Sequence, residues 1–177
     1  MFEVTKRTTV FSTPWFDLRA KTVGDAGGLP YYAVDGPDYV CVLALTSSRE
    51  VVLVRQYRPA VEDFTLELPS GLVDPGESPE TTAARELNEE TGFRVRRLEL
   101  MGELRPDTGR LENRLWCFFA EVDDELDHPR IESGELGLAT LTMPLAEFLA
   151  GCGRDGGCVH ALNLAPVALA LLQGRLE

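Results

Sequence analysis

The sequence predicts an α/β (α+β) sandwich, a mixed central sheet between helices, with an N-terminal β arm. Three observations predict it. Two β-rich runs, "YVCVLALT" (Tyr39–Thr46) and "VVLVRQY" (Val51–Tyr57), are joined by the short link "SSRE", which reads as a hairpin. Helical and β patterns then alternate as far as the C-terminus. A length of 177 residues, 44% hydrophobic and 26% charged, suits one domain with an appended arm and a core that needs no disulfide or zinc staple.

Taken in order, residues 1–36 form the arm and residues 37–177 the main domain. The arm carries weak strands over Val4–Val10 and Trp15–Thr22 and the loop "GDAGGLP". After the hairpin, "FTLELP" is a short strand ending at a proline. A helix follows, bounded by Ser78 as N-cap, Pro79 at the first helical position and Gly92 as a left-handed stop. "RRLELMGELR", "NRLWCFFAEV" and "GLATLTM" are further strands, and "PLAEFLAG" is a short helix. "NLAPVALALLQG" is a terminal helix, with Asn163 as N-cap and Gly174 just past its end.

The net charge of −12 argues against a nucleic-acid binder, which needs a basic footprint. It leaves a nucleotide substrate open, because a metal can supply positive charge. The N-terminus lacks the continuous apolar segment of a secretory signal, and no apolar run reaches about 18 residues. A soluble cytoplasmic protein without membrane contact is the expectation. Cys41, Cys117, Cys152 and Cys158 read as reduced, mostly buried thiols. Cys152, Cys158 and His160 fit no usual zinc spacing.

The chemistry concentrates in "GLVDPGESPETTAARELNEETGF", Gly71–Phe93. At about 100° per residue, Ala83, Ala84 and Leu87 form a core-facing stripe on its helix. Glu86, Glu89 and Glu90 are i, i+3 and i+4 neighbours on an adjoining arc, so their carboxylates converge. Like charges at that spacing repel, and the C-terminal half of a helix disfavours anions. Arg85 can pair with Glu89 at i+4, which offsets part of the conflict. A solvated helix face is the bland alternative, but local rules broken together mark a functional site. Three carboxylates without a soft ligand suit a hard cation, Mg²⁺ or Mn²⁺. Gly71 and Gly76 allow close backbone approach in the preceding loop, and a carbonyl near Gly71 is a natural extra ligand.

Gly71, Glu77, Arg85-Glu86-Leu87, Glu89-Glu90 and Gly92-Phe93 stand at the spacing of the complete Nudix box, so the chain resembles the Nudix hydrolases. The resemblance implies the Nudix fold and metal-dependent hydrolysis of a nucleoside diphosphate linked to another moiety. It implies that Glu86, Glu89 and Glu90 bind the metal, that Arg85 orients one of them, and that Glu89 and Arg85 serve catalysis. The segment "VVLVRQYRPAVEDFTLELPSG" is similar to that of ADP-ribose and nucleotide-sugar pyrophosphatases. This similarity implies phosphate contact by Arg58, contact with the terminal ribose by Glu67, and a main-chain carbonyl from Ser70 on a metal. It also implies a homodimer in which the N-terminal arm crosses to the partner.

The same group places a glutamate in a late loop as base or ligand; Glu135 is preferred here over Glu132. Arg110, Asn113 and Arg114 either read a phosphate or sugar, or form a solvated surface loop. His128 and His160 read as loop or surface residues, and Trp116 and Phe118 as core on one strand face. Alternatives to the diphosphate-sugar reading are an enzyme clearing oxidised nucleoside triphosphates and a nucleotide-sugar sensor that does not cleave.

Overall fold

The computed structural model describes residues 2–24, 28–126 and 136–176. Seven strands build one mixed sheet, and three more build the arm. The arm is an antiparallel sheet of β1 (Val4–Ser12), β2 (Asp17–Val23) and β3 (Tyr31–Asp35). The third strand was not expected from the sequence. It pairs with β2 over Tyr31–Asp35, so long-range pairing rather than its own short pattern creates it. Trp15 and Phe16 fall outside the strands, in a turn where the Thr13 hydroxyl accepts from both of their N–H groups.

The main sheet runs β10 (Ala139–Pro144), β5 (Glu50–Arg58), β4 (Tyr39–Leu45), β9 (Leu115–Leu126) and β8 (Phe93–Leu104). Strands β4 and β9 are parallel, and the remaining pairs are antiparallel. Strand β4 is central and covered on both faces, which explains its unbroken apolar run. Its residues alternate between two cores. Val40, Val42 and Ala44 pack with Ala83 and Leu87 of α1 (Pro79–Thr91). Cys41, Leu43 and Leu45 pack with Phe148 of α2 (Leu145–Gly151) and with Val167 and Ala170 of α3 (Ala161–Leu172). The expected sandwich is therefore formed, with α1 on one face and α2 and α3 on the other. Trp116 and Phe118 share the α1 face, and Phe118 is wholly buried.

One edge of β4 is divided. Its C-terminal end meets β5 at Leu45–Val51, while its N-terminal half pairs with the short strand β7 (Ser70–Leu72). Strand β6 (Asp63–Glu67) instead pairs with β5. The chain passes from β6 to β7 through Leu68 and Pro69, and the Pro69 carbonyl accepts from Val42 N–H at 2.9 Å. This divided edge lies beside the start of the box and shapes the site.

The terminal helix corrects one expectation. It begins at Ala161, with His160 at the cap, and Asn163 lies inside it, fully buried. Gly174 does end it, at φ 67°, with Arg175 N–H reaching the Ala170 carbonyl. No helix among the described residues is long and apolar enough to cross a membrane.

Candidate active site

Helix α1 is fixed at both ends as its sequence requires. Ser78 is extended and its hydroxyl accepts from Thr81 N–H, Pro79 opens the helix, and Gly92 closes it at φ 76°. With the Ala83–Leu87 stripe on the sheet, the glutamates are presented along the sheet edge. Glu90 is 4% exposed, and its Oε2 accepts from the backbone N–H of Ser70 at 3.0 Å. The helix is thereby joined to β7 at the first residue of that strand.

Gly71 is the tightest point. A Cβ there would lie 2.2 Å from the carboxyl carbon and Oε1 of Glu86. Close approach of a carboxylate, rather than an unusual turn, explains the glycine. Ser70 is itself held, since the Tyr39 hydroxyl donates to its Oγ at 2.7 Å.

Arg85 ties the acidic groups together. Its Nη1 donates to Glu89 at 2.9 Å, and its Nη2 lies 3.0 Å from Glu86. Its Nε and Nη2 both reach Glu77, at 3.3 and 3.2 Å. These hydrogen bonds hold the Glu77 carboxyl below its usual range and raise the guanidinium above its own. Arg85 thus reaches Glu77, Glu86 and Glu89 at once. One cation faces Glu77, Glu86, Glu89 and the nearby Glu90, so the face keeps a surplus of negative charge.

Across a cleft of about 450 Å³ from Glu86 and Glu90 stands Arg58, with Gln56 and Trp15 also on the wall. Arg58 makes a two-pronged pair with Glu67, Nε–Oε1 at 2.9 Å and Nη2–Oε2 at 2.6 Å. Glu67 is 1% exposed and also accepts from Thr65. Burial pushes its carboxyl up, but the hydrogen bonds from Arg58 and Thr65, with the His160 ring nearby, outweigh that and hold it far below the usual range. Glu67 is therefore the ion-pair partner of Arg58.

The remaining expected residues are placed apart. Arg110 is highly exposed beside Asp107, and Arg114 pairs with Glu103 and lies over the Trp116 ring. Among the described residues that line the cleft, neither appears. Both stay on the 105–114 segment, which packs on the arm through Val34 and Arg110. Glu132 and Glu135 lie outside the described residues, as does His128. Tyr39, Gln56, His160 and Asn163 were not foreseen at the site. Each meets it through partners distant in sequence, such as Tyr39 with Ser70 and Asn163 with Leu68. No local pattern marks such contacts.

Among the described residues, no three His, Cys, Asp or Glu side chains are gathered in ready ligand geometry. The contacts explain this, because Glu86 and Glu89 lean on Arg85 and Glu90 leans on Ser70. The donor chemistry nevertheless fits a hard divalent cation: carboxylates of Glu86, Glu89 and Glu90, a backbone carbonyl at Ser70, and excess negative charge. The missing Cβ of Gly71 leaves Glu86 room beside that backbone.

A mixed sheet between helices, with a glutamate helix set against a glycine-bearing strand, is the arrangement that the Nudix resemblance implies. The NUDIX domain model matches residues 37–156, and the chain belongs to that family. A Bacillus subtilis ADP-ribose pyrophosphatase is 35% identical over 97 residues, 55% of this chain and 52% of its own. The chain thus spans about half the length of that relative. A Mycobacterium tuberculosis ADP-ribose pyrophosphatase is 29% identical over 169 residues, 94% of this chain and 81% of its own. The crystal structure of an ADP compounds hydrolase superposes with a TM-score of 0.78, covering 98% of this chain and 95% of that one, at 23% identity. That likeness bears on the fold.

Proposed function

We propose that the protein hydrolyses the diphosphate of ADP-ribose or a related nucleoside diphosphate sugar, giving a nucleoside monophosphate and a sugar phosphate. The carrying observation is the cleft in which Arg58 faces Glu86 and Glu90. A cation for phosphate oxygens and carboxylates for a metal line the same cleft. The named relatives, both ADP-ribose pyrophosphatases, support this substrate class.

Glu86, Glu89, Glu90 and the Ser70 carbonyl would hold Mg²⁺ or Mn²⁺. A divalent cation bound there supplies charge neutralisation at the diphosphate and a more acidic water. Arg85 keeps Glu86 and Glu89 oriented, and Arg58 binds phosphate while Glu67 fixes its direction. Glu135 is the proposed late-loop base, preferred over Glu132, and Glu89 serves catalysis from the helix. Positioning and charge stabilisation carry most of such a phosphoryl transfer. Arg110 and Arg114 have no contact in this reading within one chain.

The arm of residues 1–36 serves as a dimerisation element in this proposal, beside a hydrolase domain of residues 37–177. Its exposed Phe11, Trp15, Tyr31 and Tyr32 supply an apolar face for a second copy. Four unpaired cysteines suit a cytoplasmic location.

Glu90→Gln tests the reading. With Mg²⁺ present, ADP-ribose turnover should fall at least about 100-fold, while ADP-ribose binding by calorimetry survives. Undiminished turnover would remove the metal role of Glu90. Binding without cleavage by the unaltered protein would make it a sensor.

A further inference from the structure

Helix α3 belongs to the hydrophobic layer opposite α1, yet its first turn sends two polar side chains toward the site. Asn163 is 0% exposed. Its Oδ1 accepts from the backbone N–H of Leu68 at 2.6 Å, across 95 residues of sequence. Its Nδ2 lies 3.1 Å from Nδ1 of His160. His160 Nδ1 in turn stands 3.8 Å from Oε2 of the buried Glu67. Glu67 holds Arg58 by two hydrogen bonds.

The segment Asn163 grips is the step from β6 to β7. Glu67 precedes Leu68, and Pro69 leads to Ser70, whose N–H holds Glu90. The backbone leaves one sheet neighbour for another here, so Leu68 N–H has left the β6 ladder and takes a side-chain acceptor instead. A buried polar side chain inside a helix is costly unless its partners are met. A capping role does not explain Asn163, because His160 occupies the cap position.

We propose that Asn163 and His160 are positioning residues: Asn163 fixes the Leu68–Ser70 backbone that carries the metal-side contacts, and His160 Nδ1, accepting from Asn163 Nδ2, fixes the orientation of that amide. The inference rests on the proposed diphosphate hydrolysis for its kinetic arm. Its metal-binding arm stands without that reading. Asn163 acts along Leu68, Pro69 and Ser70 to Glu90, so its loss lowers metal affinity. His160 acts through the Asn163 amide, so its loss lowers metal affinity in the same direction.

The test measures Mn²⁺ affinity of the full chain by electron paramagnetic resonance without substrate, and KM and kcat separately with ADP-ribose. Asn163→Leu should weaken Mn²⁺ binding about 10-fold or more, the scale of lost outer contacts at metal sites. Asn163→Asp keeps an acceptor for Leu68 N–H and should restore affinity to within about 3-fold of the unaltered protein. His160→Ala leaves the Asn163 amide without its second partner and should weaken Mn²⁺ binding about 3- to 10-fold, less than Asn163→Leu does. Loss of folded protein alone would lower kcat and leave both the Mn²⁺ dissociation constant and KM unchanged. That pattern would overturn the inference, and so would equal Mn²⁺ affinity in the Leu and Asp variants. If Asn163→Leu fails to fold, His160→Ala decides: Mn²⁺ affinity equal to that of the unaltered protein would overturn the inference. If the unaltered protein does not cleave ADP-ribose, the proposed function fails, and the Mn²⁺ series alone confirms or overturns the role of Asn163.

Discussion

Gly71 shows how one missing atom can support a site. Its Cβ would fall 2.2 Å from the Glu86 carboxyl, the far end of a flexible side chain that has to move away. Gly71→Ala should therefore displace Glu86 and lower metal affinity about 10- to 100-fold, with the fold retained by circular dichroism. Glu67 offers a pH-dependent counterpart. Its carboxyl is held well below the usual value of 4.5, so it binds protons more weakly in the folded state. Its stabilisation is then full above about pH 4.5 and fades as pH falls toward the folded value. Glu67→Gln should be less stable than the unaltered protein at pH 7 in urea unfolding, and the gap should shrink below about pH 4. A gap that widens on acidification would contradict this. At the residue scale the box was legible, because Glu86, Glu89 and Glu90 break helix rules in a visible pattern. The partnership of Glu67 with His160, and of Tyr39 with Ser70, was not legible. Those contacts are created by strands that come together from distant parts of the chain.

At the scale of elements, α1 was legible to the residue because its signals are local: Ser78, Pro79 and Gly92 each act on the adjacent turn. Gly92→Ala should place a Cβ in the left-handed region and cost about 1–2 kcal/mol. A chain of this size should then lose about 2–8 °C in Tm by calorimetry. Strands β3 and β7 were hidden for the opposite reason. Each is short, and each exists because a longer neighbour, β2 or β4, offers it a ladder. The cap of α3 was misplaced by three residues, at Asn163 instead of His160, because Asn163, a favoured cap type, is used as a buried acceptor for Leu68. Local propensity gave way to a tertiary contact.

For the molecule as a whole, the arm carries the clearest expectation. Its exposed Phe11, Trp15, Tyr31 and Tyr32 would be unfavourable in water without a covering surface. Light scattering should give a mass near twice 19.5 kDa, and Phe11→Asp with Trp15→Asp should shift it toward the single-chain value. A single-chain mass for the unaltered protein would remove the dimer proposal. The sandwich itself was legible because β4 alternates between two cores and α1 shows one apolar stripe. The division of β4 between β5 and β7, which opens the cleft, has no signature in either strand.

The most direct test of the account is ADP-ribose turnover with Mg²⁺, with Mn²⁺ and with chelator, against GDP-mannose, UDP-glucose and 8-oxo-dGTP. The account expects metal-dependent release of a nucleoside monophosphate and a sugar phosphate from a diphosphate sugar, abolished by chelator. Preference for the triphosphate, or cleavage that persists in chelator, would contradict it.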